Sequence, residues 1–168
     1  MNYVTIYKAD MINGFGVRVS LFVSGCSHKC PGCFNSRAWN EDFGKPYTKE
    51  VEDAIMEYLK APYVRGLTFL GGEPMDPSHQ EYIWSLVHRI RSEQPTKDIW
   101  LYSGYTLEQL RAMQTPYVKN ILANVDVLVD GRFVQALRDP DLPFRGSSNQ
   151  RITDMKQTGD GEPVLLMQ

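Results

Sequence analysis

The sequence predicts an α/β domain on a parallel sheet, curling into an open, partial βα barrel. Three observations carry that prediction. Short apolar strands alternate with stretches of helical periodicity, the pattern of repeated βαβ units. Nearly every strand stops at a glycine or small-residue loop, and right-handed crossovers bring all such loops to one edge of a sheet. A closed eight-unit barrel takes roughly 250 residues, and the 168 residues here leave room for about five units. The open side suits a large substrate, such as a loop of another protein.

The elements follow in order. Tyr3, Thr5 and Tyr7 alternate with Val4 and Ile6, which predicts an edge strand over residues 3–7. Asn13-Gly14-Phe15-Gly16 marks a turn, and Val17 to Val23 reads as the first inner strand. After a polar stretch holding Gly44 and Pro46, Thr48 caps a helix to about Leu59, with Val51, Ile55 and Leu59 four apart. Leu67 to Leu70 predicts a buried strand ending in Gly71-Gly72-Glu73-Pro74. A second helix spans Ser78 to Glu93, with Ile83, Leu86, Val87 and Ile90 on one face. Ile99 to Tyr102 is the next strand, stopping at Ser103-Gly104, and a helix begins near Thr106 with Leu107 and Leu110 inward. Val125 to Val129 forms a fourth parallel strand, ending at Asp130-Gly131, and Phe133 to Leu137 fits one helical turn. Beyond Asp139 the pattern is irregular. Residues 1–168 read as one domain, whose 154–168 tail could add an edge strand or touch a partner.

Composition excludes several classes. Hydrophobic residues at 42% and charged ones at 23% describe an ordinary globule. The net charge of −2, with Lys and Arg scattered, argues against nucleic acid or a membrane surface as partner. No apolar run approaches the roughly 18 residues of a membrane span, and the N-terminus lacks the basic flank and apolar stretch of a signal peptide. Free thiols then suit a reducing cytoplasm.

All three cysteines fall on one loop, Cys26-x3-Cys30-x2-Cys33, directly after the first inner strand. Thiolates so close together cannot all face a core, and soft sulfur ligands on one loop suit zinc or an iron–sulfur cluster. Four cysteines would close an ordinary cubane. Three leave one iron of a four-iron cluster open to a further ligand. A Cys3His zinc knuckle from Cys26, His28, Cys30 and Cys33 is the competing reading. The strand-end loops also bring Gly71-Gly72-Glu73, Ser103-Gly104 and Asp130-Gly131 to the same mouth.

These stretches together resemble the radical S-adenosylmethionine superfamily, and within it the activating proteins of anaerobic ribonucleoside-triphosphate reductase. The similarity runs through Asn13-Gly14-x-Gly16-x-Arg18, Phe22-Val23-Ser24-Gly25-Cys26, Cys30-Pro31-Gly32-Cys33-Phe34-Asn35, Gly71-Gly72-Glu73-Pro74, Lys97-Asp98-Ile99-Trp100, Ser103-Gly104-Tyr105, Val127 to Phe133, and Arg145-Gly146-Ser147-Ser148-Asn149-Gln150. The resemblance implies a 4Fe-4S cluster on Cys26, Cys30 and Cys33, with S-adenosylmethionine chelated at the open iron. One electron would cleave the sulfonium to methionine and a 5′-deoxyadenosyl radical, which removes hydrogen from a backbone glycine of the large reductase subunit. It implies an electron donor such as a flavodoxin. A radical enzyme acting on a small molecule is a second reading of the same motifs.

On this resemblance Gly32, Gly71 and Gly72 admit the cofactor close to backbone. Phe34 shields the cluster or packs in the core. Glu73, or a carbonyl beside it, accepts from the methionyl ammonium. Asp130 takes a polar role near the cofactor or a cation, or simply makes a tight turn. Arg145 contacts the partner, a carboxylate or a surface ion pair, and Arg18 is structural. His28 is read as solvated, His79 and His88 as surface residues, and Trp100 as core. Three positions depart from the family pattern. Gly32 stands where most of the superfamily has an aromatic (an arrangement the activating proteins share), Phe15 replaces a usual proline, and Leu70 a usual Ser or Thr.

Overall fold

A computed structural model describes all 168 residues. Its frame is one sheet of eight strands: β1 (Asn2–Asp10), β2 (Val17–Val23), β3 (Lys45–Pro46), β4 (Val64–Gly71), β5 (Asp98–Ser103), β6 (Val127–Asp130), β7 (Arg151–Asp154) and β8 (Leu165–Met167). The spatial order is β3-β1-β2-β4-β5-β6-β7-β8. The middle four strands, β2, β4, β5 and β6, are parallel and lie in chain order. The flanking pairs are antiparallel, so the sheet is mixed and open rather than wholly parallel. Two-residue β3 covers only one end of β1, which explains why the alternation at 3–7 reads as an edge.

Helices α1 (Lys49–Leu59), α2 (Gln80–Glu93), α3 (Leu107–Ala112) and α4 (Val118–Asn124) provide the crossovers, and α5 (Met155–Thr158) follows β7. Thr48 caps α1 by accepting from Val51 N, and Thr106 and Gln109 form a reciprocal capping box on α3. α2 starts at Gln80 rather than Ser78, because Asp76 holds the preceding turn by accepting from Ser78 N. The sequence pattern gives no sign of α4 or β7. The tail takes the first of its two expected forms and adds β8 as an edge strand.

The two faces of the sheet differ. Val19, Leu21, Val23, Leu67, Phe69, Ile99, Leu101 and Leu128 alternate toward the helices and meet Ile55, Leu59, Ile83, Leu86, Ile90, Leu107 and Ile121 in one core. The other face carries Arg18, Ser20, Thr68, Trp100, Val127 and Val129, all buried. Phe15 and Phe144 pack edge-on to Trp100 there, with centroids 5.4 and 5.3 Å away. Arg18 is structural: it donates to Thr68 Oγ1, Phe15 O and Leu67 O and pairs with Asp98 at 2.6 Å. No helix is long and apolar enough to cross a membrane.

Candidate functional site

The site grows from the carboxyl ends of the parallel strands. Beyond β2 the chain turns at Gly25 (φ +101°) and Gly32 (φ +78°), and a single 3-10 turn, Ser36–Trp39, brings it back. That return is pinned where Gly25 N donates to Ala38 O (2.7 Å) and Cys26 N to Trp39 O (3.2 Å). The loop so closed carries Cys26, Cys30 and Cys33, none in a disulfide and all half-buried. Cys33 N donates to Cys30 O, and Cys33 Sγ accepts from Asn35 N at 3.4 Å. Burial pushes the Cys26 and Cys30 thiols above their ordinary range. Backbone donors at His28 and Lys29 oppose this at Cys26, and one at Phe133 opposes it at Cys30.

Gly71 and Gly72 join that loop to β4. A Cβ on Gly72 would lie 2.4 Å from Gly25 O, and one on Gly71 (φ +108°) 2.5 Å from Val23 N. Only glycine lets the two strand ends close, and Gly72 N then donates to Val23 O while Glu73 N donates to Gly25 O. Gly32, by contrast, faces the flexible Gln135 side chain.

Glu73 is buried and ties three loops together. Its Oε1 accepts from Met75 N and Ser103 Oγ, both at 2.8 Å. Its Oε2 accepts from Gly104 N at 2.6 Å and meets His28 Nε2 at 2.8 Å. With four partners already present, its carboxylate frames the mouth from within. His28 is correspondingly not the solvated residue expected: its side chain is 3% exposed and lies edge-on to Tyr105. Gly104 makes room for it, since a Cβ there would come within 2.4 Å of the ring. His79 is likewise buried rather than at the surface, its Nδ1 2.7 Å from Glu73 O. His88 is exposed, as read.

Asp130 is buried too. Its Oδ2 accepts from Leu107 N at 2.6 Å and its Oδ1 from Arg151 Nε at 3.0 Å, so it anchors the start of α3 to β7. Phe34 is 78% exposed, which rules out core packing, and the Arg138 guanidinium sits 5.4 Å from its ring centroid.

These loops enclose a cavity of about 400 Å³. Cys26, Cys30, Cys33, Phe34, Gly71, Gly72 and Glu73 line it, as do Ser103, Gly104 and Gly131. Gly32 and Asp130 do not belong to its wall, although their neighbours do. Sequence reasoning brought Ser103 to this mouth, missed Trp39 and read His28 as solvated. The position of His28 between two cysteines was the available signal.

The wall fits a sulfur-ligated group with a polar companion. It offers three unpaired thiols on one loop. No three His, Cys, Asp or Glu side chains converge on one point as a single ion requires, and His28 meets Glu73 through Nε2, which leaves Nδ1 without a partner. The cavity wall also holds three side chains with a buried nitrogen lacking a partner: His28 Nδ1, Trp39 Nε1 and Arg145 Nε.

Residues 12–153 match the family model described as a 4Fe-4S single cluster domain. The chain is similar to the anaerobic ribonucleoside-triphosphate reductase-activating protein of Escherichia coli (strain K12), 46% identical over 158 residues, covering 93% of this chain and 100% of the relative. The protein of that name from Vibrio cholerae is 47% identical over 154 residues, covering 90% of this chain and 97% of its own. The one from Enterobacteria phage T4 is 41% identical over 152 residues, with 90% and 93% covered.

Proposed function

We propose, from the premise that this chain belongs to the family of anaerobic ribonucleoside-triphosphate reductase-activating proteins, that it installs a glycyl radical on the large subunit of such a reductase. In this reading Cys26, Cys30 and Cys33 hold a 4Fe-4S cluster by three thiolates, and S-adenosylmethionine occupies the cavity beside it. The single observation that carries the reading is that all three thiols line the same cavity as the Gly71-Gly72-Glu73 turn. When bound, the cluster and S-adenosylmethionine supply one electron and a 5′-deoxyadenosyl radical able to take hydrogen from a glycine.

The chain's own residues supply position and exclusion. Glu73 holds the cysteine loop, through His28, against the ends of β4 and β5. Gly71 and Gly72 keep the backbone of residues 23–25 against the turn, so the thiols have a fixed height above the sheet. Asp130 does the same for the loop after β6. Phe34, exposed and on the cavity wall beside the cysteines, would shield a cluster held there from water. The four parallel strands, with α1 to α4 on one face, support reading the sheet as an open, partial barrel of the radical S-adenosylmethionine type. Three unpaired thiols support a reducing cytoplasmic location, and a flavodoxin-type protein fits the need for a one-electron donor.

The test is a reconstitution with the reductase. A glycyl signal in electron paramagnetic resonance is expected on the large subunit only with this protein, S-adenosylmethionine and reductant together. Deoxyadenosine formed equally fast with a free small substrate, and no protein radical, would overturn the reading in favour of small-molecule chemistry.

A further inference from the structure

We propose that Arg145 holds the carboxylate of the methionyl end of S-adenosylmethionine. The inference rests on the cofactor reading given above.

Apart from the cysteines, His28 and Tyr102, two side chains capable of charge line the cavity, Glu73 and Arg145. Glu73 is satisfied by four partners within the fold. Arg145 is not. Its Nη1 donates to Gln150 O at 2.6 Å, its Nε is buried without an acceptor, and no carboxylate lies within ion-pair distance. A half-buried guanidinium with no counter-ion is costly, and its planar fork matches a carboxylate by two parallel hydrogen bonds. The carboxylate is the one anionic group that S-adenosylmethionine has.

The backbone holds this side chain in place. Phe144, immediately before it, sits in the left-handed region at φ +62°, where a bulky residue is held only by its surroundings. Tyr102 Oη donates to Phe144 O at 2.7 Å, and the Phe144 ring packs edge-on to Phe15 and Trp100. Gln150 Oε1 accepts from Gly146 N and Ser147 N on the other flank. The guanidinium is therefore carried by a locked turn, on an element separate from the cysteine loop.

The experiment is equilibrium dialysis of S-adenosylmethionine and of its decarboxylated analogue against anaerobic, cluster-loaded protein, with iron content measured alongside. Arg145→Gln is expected to weaken S-adenosylmethionine binding by about tenfold to a hundredfold, leaving the analogue's affinity and the iron content unchanged. Arg145→Lys should recover part of the loss. Equal weakening for both ligands, or none for either, overturns the assignment of Arg145. Wild-type protein that binds neither ligand overturns the cofactor reading itself and this inference with it.

Discussion

The two faces of the sheet are held by different forces. Toward the helices, 24 buried hydrophobic residues form one continuous core, so that face is fixed by area removed from water. Toward the cavity and along the strand ends, polar and charged side chains (Arg18, Ser20, Thr68, Glu73, Ser103 and Asp130) are buried beside a small apolar cluster of Trp100, Val127, Val129 and Ile152. Each polar side chain is positioned by specific hydrogen bonds to groups far away in sequence, as with His28 and Glu73, 45 residues apart. An apolar core tolerates substitution of similar volume. A polar network loses its geometry when one partner changes. The molecule thus keeps its stability on one side and the precision of its loops on the other.

Substitutions on each face should separate those two roles. The largest effect belongs to Cys30→Ala, which should abolish cluster binding and S-adenosylmethionine cleavage together, with a thermal transition matching that of cluster-free wild type. Iron and sulfide analysis with calorimetry would check both halves. Ile90→Ala, fully buried in the helix-side core, should cost about 2–5 kcal/mol in denaturant unfolding. At temperatures where that variant stays folded, its iron content should match wild type. Glu73→Gln sits on the dividing line. It puts an amide among four donors and should cost about 1–3 kcal/mol, and it should also lower the retention of iron, because it frees the cysteine loop.

The smallest effect is at the surface pair of Glu108 and Arg151. The Arg151 guanidinium holds the Glu108 carboxyl down to about 2 from its ordinary 4.5. A carboxyl with a depressed folded pKa stabilises fully above about pH 4.5 and loses that contribution as pH falls through about 2. Glu108 is 57% exposed, so the contribution is about 0–1 kcal/mol. Glu108→Gln should flatten acid unfolding over that window and leave neutral stability within the same margin.

What could be read from the chain follows the same division. The helix-facing elements announce themselves, because burial against a helix imposes a period on the sequence: Val51, Ile55 and Leu59 with a Thr48 cap, or Ile83, Leu86, Val87 and Ile90. α4 was silent because it is short, buries only Val118 and Ile121, and has no capping side chain. β7 was silent because its antiparallel partner β6 lies beyond a long irregular loop. The cysteine loop was plain from spacing alone, and the gathering of the strand-end loops followed from chain handedness. The networks were not readable. His28 and His79 resemble surface residues until folding brings Glu73 beside both. Asp130 reads as part of a turn until Arg151 and Leu107 N meet it.

The most direct measurement is the composition and spectrum of the anaerobically reconstituted protein before and after S-adenosylmethionine is added. About four iron and four sulfide per chain, with the resonance of the reduced cluster shifting on addition of S-adenosylmethionine, is the predicted result. One tetrahedral zinc per chain, or a cluster whose spectrum ignores S-adenosylmethionine, would contradict a three-thiolate centre with an open iron.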